Sequence, residues 1–175
     1  MKIGDLEFMP FISRDEISKS VKALAARLEQ DYTGKTPTFL VILNGAFMFA
    51  SDLVKNYKGD CKLSFMRLAS YQGTHTTGKV KAYLEAEQLK NKDIIIVEDI
   101  VDTGNSIEYL IKHLQAQNPK SYRIVSLFYK PDAYKKTYPI DYIGINIPDK
   151  FILGYGLDYD GLGRNLPDVY QLKTS

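Results

Sequence analysis

The chain has 175 residues, 45% of them hydrophobic and 25% charged, proportions that suit a globular protein with a sizeable buried core. With 23 basic against 21 acidic residues the formal charge is only +2, so bulk electrostatics give no footprint for nucleic acid or an anionic membrane. One cysteine, Cys61, excludes an internal disulfide, and no apolar run approaches the roughly 20 residues that a membrane helix needs.

From Met1 to Glu7 the chain carries acids early and no apolar secretory stretch, so a cytoplasmic location is expected. Ser13-Arg14-Asp15-Glu16 has capping-box spacing, and Ile17, Val21, Leu24 and Leu28 then repeat on one face, predicting a helix to about Gln30. Gly34 and Pro37 end it, and Thr38 to Leu43 reads as a buried strand. The small turn Asn44-Gly45-Ala46 leads into a helical pattern with Phe47, Ala50, Leu53 and Val54. Lys62 to Ala69 alternates as a strand, and Val80 to Leu84 resumes as one. Between them, Ser70 to Lys79 has no apolar period and is rich in hydroxyls and glycine; both a closing lid and a plain hairpin end stay open.

Ile94 to Val97 are four consecutive β-branched apolar residues, a strand buried on both faces. They run into Glu98 and Asp99, a third acid at Asp102, and the small turn Thr103-Gly104-Asn105-Ser106. Ile107, Leu110, Ile111 and Leu114 then recur at i, i+3, i+4 and i+7, so the turn joins a strand's carboxyl end to a helix amino end. Tyr122 to Tyr129 and Tyr142 to Ile147 supply further strands. From Pro148 the chain turns to Gly, Asp and Tyr, predicting an irregular flap that ends in a short strand near Val169 to Leu172. The alternation predicts an α/β fold, a largely parallel twisted sheet flanked by helices, as one domain over residues 1–175 with a core of about 12–147 and a flap mainly over 148–175.

The Asp102 to Ser106 turn offers successive amides at a helix amino end, two hydroxyls and a glycine, a combination that suits a phosphate monoester. Capping of the helix by Thr103, Ser106 or Asp102 is the plainer reading. Against it stands the acid cluster, whose mutual repulsion at the end of a buried strand calls for a cation or hydroxyl donors; a magnesium ion and a ribose diol supply both. There is no Walker-type lysine loop, and Gly154-Tyr155-Gly156 does not open a helix after a first strand, which disfavours the common nucleotide motifs.

Val97-Glu98-Asp99-Ile100-Val101-Asp102-Thr103-Gly104-Asn105-Ser106 resembles the phosphoribosyl-pyrophosphate motif of the type I phosphoribosyltransferases. Leu43-Asn44-Gly45, Ser70-Tyr71, Ser126-Leu127 through Lys130, and Ile147 to Tyr159 with Arg164 beyond narrow the resemblance to the hypoxanthine-guanine branch. It extends from about Phe39 to Arg164.

The resemblance implies transfer of a 5-phosphoribosyl group from phosphoribosyl pyrophosphate to hypoxanthine or guanine, with Mg²⁺ as cofactor. It assigns Glu98 and Asp99 to the ribose hydroxyls, Thr103, Gly104, Asn105 and Ser106 to the 5′-phosphate, and Asp102 to general acid/base work at the base. Leu43, Asn44, Gly45, Ser70, Tyr71 and Arg164 fall to pyrophosphate, with a cis peptide between Leu43 and Asn44. Lys130 would donate to the purine 6-oxo group, which an exocyclic amine cannot replace as an acceptor. Phe151 would stack on the base, while main chain near Ile152 and Asp158 reads its edge. Asp158 is the expected metal acid, with Glu98 and Asp99 also able to serve. Asn44, Ala69 and Asn105 stand where some members carry basic residues, which shifts pyrophosphate binding at Asn44 toward backbone amides. His75 and His113 read as surface residues. The expected partners are small-molecule substrates, not nucleic acid or membrane, and the expected assembly is a homodimer or homotetramer. A xanthine-preferring enzyme, or a non-catalytic nucleic-acid-binding regulator on the same fold, are the alternatives.

Overall fold

The computed structural model describes residues 1–69, 81–82 and 89–173. Strands β3 (Thr38–Leu43), β4 (Lys62–Ala69), β6 (Asp93–Val101), β7 (Ser121–Tyr129) and β8 (Tyr142–Asn146) pair in parallel, with the short β5 (Lys81–Ala82) antiparallel on the outer edge of β4. The order β5-β4-β3-β6-β7-β8 runs outward in both directions from the β3/β6 pair. The loops that follow two neighbouring strands therefore diverge there, opening the crevice that parallel sheets use for ligands.

The apolar runs fold as strands because each face of the sheet receives its own layer. Phe39, Val41, Ile95 and Val97 pack under α1 (Arg14–Asp31) and α2 (Phe47–Asn56), whereas Leu40, Ile42, Ile94 and Ile96 pack against α3 (Asn105–Gln115). Alternate residues thus enter opposite cores, and each fully buried aliphatic side chain contributes about 1.5–3 kcal/mol. The start of α1 falls where the capping pattern put it, the Ser13 hydroxyl accepting from the Glu16 amide at 3.3 Å.

Two features depart from the sequence expectation. First, β6 does not end at Val97. It continues through Glu98, Asp99 and Ile100 to Val101, in register with β7 from Glu98↔Ser126 to Val101↔Tyr129, so Glu98 and Asp99 belong to the strand rather than following it. Second, the chain's opening residues form β1 (Lys2–Ile3) and β2 (Leu6–Ile12), which join β9 (Ile152–Leu153) and β10 (Val169–Leu172) in a small antiparallel sheet ordered β1-β2-β10-β9. The flap is built on this sheet. The expected lid, with Ser70, Tyr71 and His75, lies outside the described residues, as do Val80, Tyr83 and Leu84.

Candidate active site

The carboxyl ends of β3, β6 and β7 bring the expected residues together. After β3, the Leu43–Asn44 peptide is cis, and Gly45 lies so close to Asp99 that a Cβ on it would overlap the carboxylate. Only glycine permits that approach. Asn44 is exposed beside it.

Glu98, next to Asp99 on β6, is 7% exposed, and among the described residues its Oε2 has no hydrogen-bond partner. Burial first, and the neighbouring Asp99 charge second, push its carboxyl well above the usual range. Asp99 lines the cleft, with Oδ1 accepting from the Ile100 amide at 2.9 Å. Burial raises it to about 6, opposed by the amide bonds and the Arg164 charge and reinforced by Asp158. Among the described residues no lysine or arginine forms an ion pair with either acid, and the Arg164 charge acts on Asp99 from beyond ion-pair distance.

The turn beyond β6 is open at its amides. Gly104 occupies the position before α3 in the left-handed conformation, φ 85°, and no side chain caps the helix, so Asp102, Thr103 and Ser106 are not the caps of the plainer reading. The ring of Tyr134 and the stem of Lys136 back Gly104, leaving no room for a Cβ. Thr103, Asn105 and Ser106 face outward, so an anion at the free helix end meets amides and hydroxyls together.

Asp102 turns away from the helix. Its Oδ2 accepts from Lys130 Nζ at 2.7 Å, and the same ammonium donates to Asp149 Oδ1 at 3.2 Å. Lys130 is held at the end of β7 by its amide, which donates to the Val101 carbonyl at 3.0 Å, and its side chain is only 8% exposed. A buried cation in an apolar strand end is costly unless paired, and Asp102 supplies the close partner.

The flap forms the facing wall. Phe151, 44% exposed, presents its ring to the cleft with Phe8 behind it at 6.2 Å and Tyr159 edge-on at 6.0 Å. Arg164 donates from Nη1 to the Gly156 carbonyl at 2.7 Å and pairs from Nη2 with Asp158 Oδ1 at 2.6 Å, while Asp158 Oδ2 accepts from the Gly161 amide at 2.7 Å. Asp158, the expected metal acid, thus spends both oxygens on protein donors. Gly45, Asp99, Asp102, Lys130, Phe151, Ile152, Asp158 and Arg164 all line one cleft of about 330 Å³.

Comparison with known proteins decides the family. The phosphoribosyl transferase domain family matches residues 13–160. The hypoxanthine-guanine phosphoribosyltransferase of Staphylococcus aureus (strain Mu50 / ATCC 700699) is 39% identical over 164 residues, covering 93% of this chain and 92% of that protein. That of Bacillus subtilis (strain 168) is 38% identical over 166 residues, covering 94% and 92%. A crystal structure of a Staphylococcus aureus hypoxanthine phosphoribosyltransferase superposes with a TM-score of 0.88 at 38% identity over 97% of this chain and 92% of that one.

The chain belongs to the hypoxanthine-guanine phosphoribosyltransferase family. It is therefore a member of a transferase family, and its parallel sheet flanked by helices is the fold of its phosphoribosyltransferase neighbours. Sequence reasoning missed four contributors to this phosphoribosyltransferase site. Ile100 and Leu157 add apolar lining to the cleft, and Asp149 reaches Lys130. Tyr155, buried in the flap, donates to Asp52 of α2, and burial followed by that carboxylate pushes its hydroxyl well above the usual tyrosine range. A tyrosine flanked by glycines in a segment otherwise short of apolar residues was the available signal for a flap anchor. For Asp149, lying in an exposed Pro-Asp-Lys turn, there was none.

Proposed function

We propose that this chain transfers the 5-phosphoribosyl group of phosphoribosyl pyrophosphate to hypoxanthine or guanine, yielding IMP or GMP and pyrophosphate. The observation that carries the reading is the shared cleft. The ion-paired Lys130 and Asp102, Phe151 and Asp99 line it together, beside an uncapped helix amino end, and Glu98 is buried next to Asp99 with an oxygen that has no partner among the described residues.

On this reading the 5′-phosphate sits on the amides and hydroxyls of Thr103, Gly104, Asn105 and Ser106, and the ribose hydroxyls donate to Glu98 and Asp99, relieving their burial. The purine lies on Phe151 with its 6-oxo group accepting from Lys130, which leaves a 6-amino base without a matching acceptor. Main chain at Ile152 and Asp158 reads the other edge. As the base nitrogen N9 bonds to C1′, the C1′–oxygen bond to pyrophosphate breaks and the electron pair leaves with it. Asp102 accepts the proton that the base gives up. Leu43, Asn44, Gly45 and Arg164, with Ser70 and Tyr71 outside the described residues, receive the leaving group, and the acids stabilise positive charge developing on the ribose.

The residues also suit Mg²⁺. Glu98 and Asp99 are hard oxygen donors with no ion-paired cation among the described residues, and the Glu98 oxygen left without a partner there suits a bound ion or hydroxyl. No three acids or histidines among the described residues form a metal cage, so the ion would share substrate oxygens, with Asp158 as a further acid once freed from Arg164. When bound, it neutralises charge on pyrophosphate.

We read residues 1–175 as one catalytic domain, acting in the cytoplasm on small molecules as a homodimer or homotetramer. No helix among the described residues is long and apolar enough to cross a membrane. Pyrophosphate release measured with hypoxanthine, guanine, xanthine, adenine and orotate tests the assignment. Release is expected with the first two and not with adenine or orotate; preference for xanthine, or no release with any base, would overturn it.

A further inference from the structure

We propose that Asp149 is a positioning residue of the base site. Acting through Lys130, it holds the ammonium from the flap side and aims its remaining N–H at the 6-oxo group of the purine. The inference rests on the reading of Lys130 as the 6-oxo donor.

An ammonium has three donors and no preferred fork geometry, so its direction is set by its acceptors. Among the described residues two carboxylates take two of those protons, Asp102 Oδ2 at 2.7 Å and Asp149 Oδ1 at 3.2 Å, from opposite elements. Lys130 lines the cleft, where the third proton finds its acceptor. With Asp102 alone, the ammonium would settle fully on the oxygens that must accept the base proton. A second carboxylate draws it off that line and divides its attraction.

The backbone fixes Asp149 for this task. The Ile147 amide donates to the carbonyl of Tyr129, the residue before Lys130, at 2.9 Å, and the Lys150 amide donates to the Pro148 carbonyl at 2.8 Å, closing a tight turn around Asp149. Phe151 follows directly. The 6-oxo donor and the stacking ring are thereby held in register, one ion pair spanning sheet and flap. The Asp149 side chain is 63% exposed, so the pair adds little to stability, and its placement is accounted for by what it does to Lys130.

The test is steady-state kinetics of the full chain with Asp149→Ala and Asp149→Asn, alongside thermal melting. Asp149→Ala is expected to raise the KM for hypoxanthine about tenfold, the worth of one charge-assisted hydrogen bond, with the KM for phosphoribosyl pyrophosphate within about twofold of wild type. Asp149→Asn, which keeps an acceptor oxygen, should fall between, and the melting temperature should not move. The decisive readout is the affinity of hypoxanthine relative to unsubstituted purine, the latter measured as a competitive inhibitor. That ratio should shrink in Asp149→Ala by the same factor, and Asp149→Ala should add nothing in a Lys130→Met background. Equal loss for both bases, or an unchanged ratio, overturns the role of Asp149 while wild-type turnover leaves the functional reading standing. Absence of wild-type turnover with every 6-oxopurine overturns that reading, and this proposal with it.

Discussion

The acids at the end of β6 meet two opposite treatments. Among the described residues Glu98 and Asp99 have no ion-paired cation and their carboxyls are raised by burial, whereas Asp102, the first residue beyond the strand, has a lysine 2.7 Å away. The first pair stores unfavourable charge that a ligand's hydroxyls or a divalent ion can relieve, so its environment is completed by binding. The second is already complete, so its geometry is set in advance of the base. On the proposed function, one short stretch serves one substrate through unmet electrostatics and the other through preorganisation.

Breaking the preorganised half should have the largest effect. Asp102→Asn removes the proton acceptor that the proposed function requires while leaving a side chain of the same shape, and kcat should fall by about 10²–10⁴ with little change in the KM for phosphoribosyl pyrophosphate. Wild-type turnover in that variant would erase the distinction between the two halves. Gly45→Ala attacks the other half through space. Its Cβ would displace the Asp99 carboxylate, and kcat/KM for phosphoribosyl pyrophosphate should drop by up to about 10²-fold. The dissociation constant for a purine base alone should hold; its parallel loss would show that the halves are not independent.

The smallest effect is on stability, and its sign is diagnostic. A carboxyl whose folded-state value exceeds its unfolded value takes up a proton on folding, so its contribution favours the folded chain at low pH and is lost as pH rises through the raised value. For Asp99 that window runs from 3.8 to about 6, and for Glu98 it begins at 4.5 and extends well above. Glu98→Gln should therefore leave the melting temperature nearly unchanged in acid and raise it at neutral pH, by roughly 2–4 °C for each kcal/mol recovered. Phosphoribosyl pyrophosphate should narrow the gap by stabilising the wild type more. A destabilised variant at neutral pH would mean that the orphaned oxygen has a partner in the free protein.

The fold was legible where burial is two-sided. Thr38 to Leu43, Ile94 to Val97 and Tyr122 to Tyr129 read as strands because both faces are covered and alternation gives way to continuous apolar runs. β2 was not legible: only Phe8 and Ile12 are buried, Pro10 interrupts it, and its partner β10 lies at the other end of the chain. The acids hid the true end of β6, since carboxylates at buried positions contradict the pattern that marks a strand. Within the site, the residue types at Asp102 and Lys130 pointed to chemistry, but their contact did not. Whether Asp102 capped the helix was a question of rotamer and backbone: Gly104 takes the cap position with no side-chain bond, and the Asp102 carboxylate goes to Lys130 instead. Asp149 and the Tyr155–Asp52 tether are tertiary facts without a local pattern.

The small antiparallel sheet gives the stacking wall an unusual ancestry along the chain. Phe151 leans on Phe8, and Phe8 is opposite Leu172, so the exposed ring of Phe151 rests on a loop closed between residues 8 and 172. Loop-closure entropy grows only logarithmically, and this ring costs roughly 2–3 kcal/mol more than one of about ten residues. A ligand pressed against Phe151 would therefore also clasp β2 to β10, and anything that pulls those two strands apart would loosen that wall.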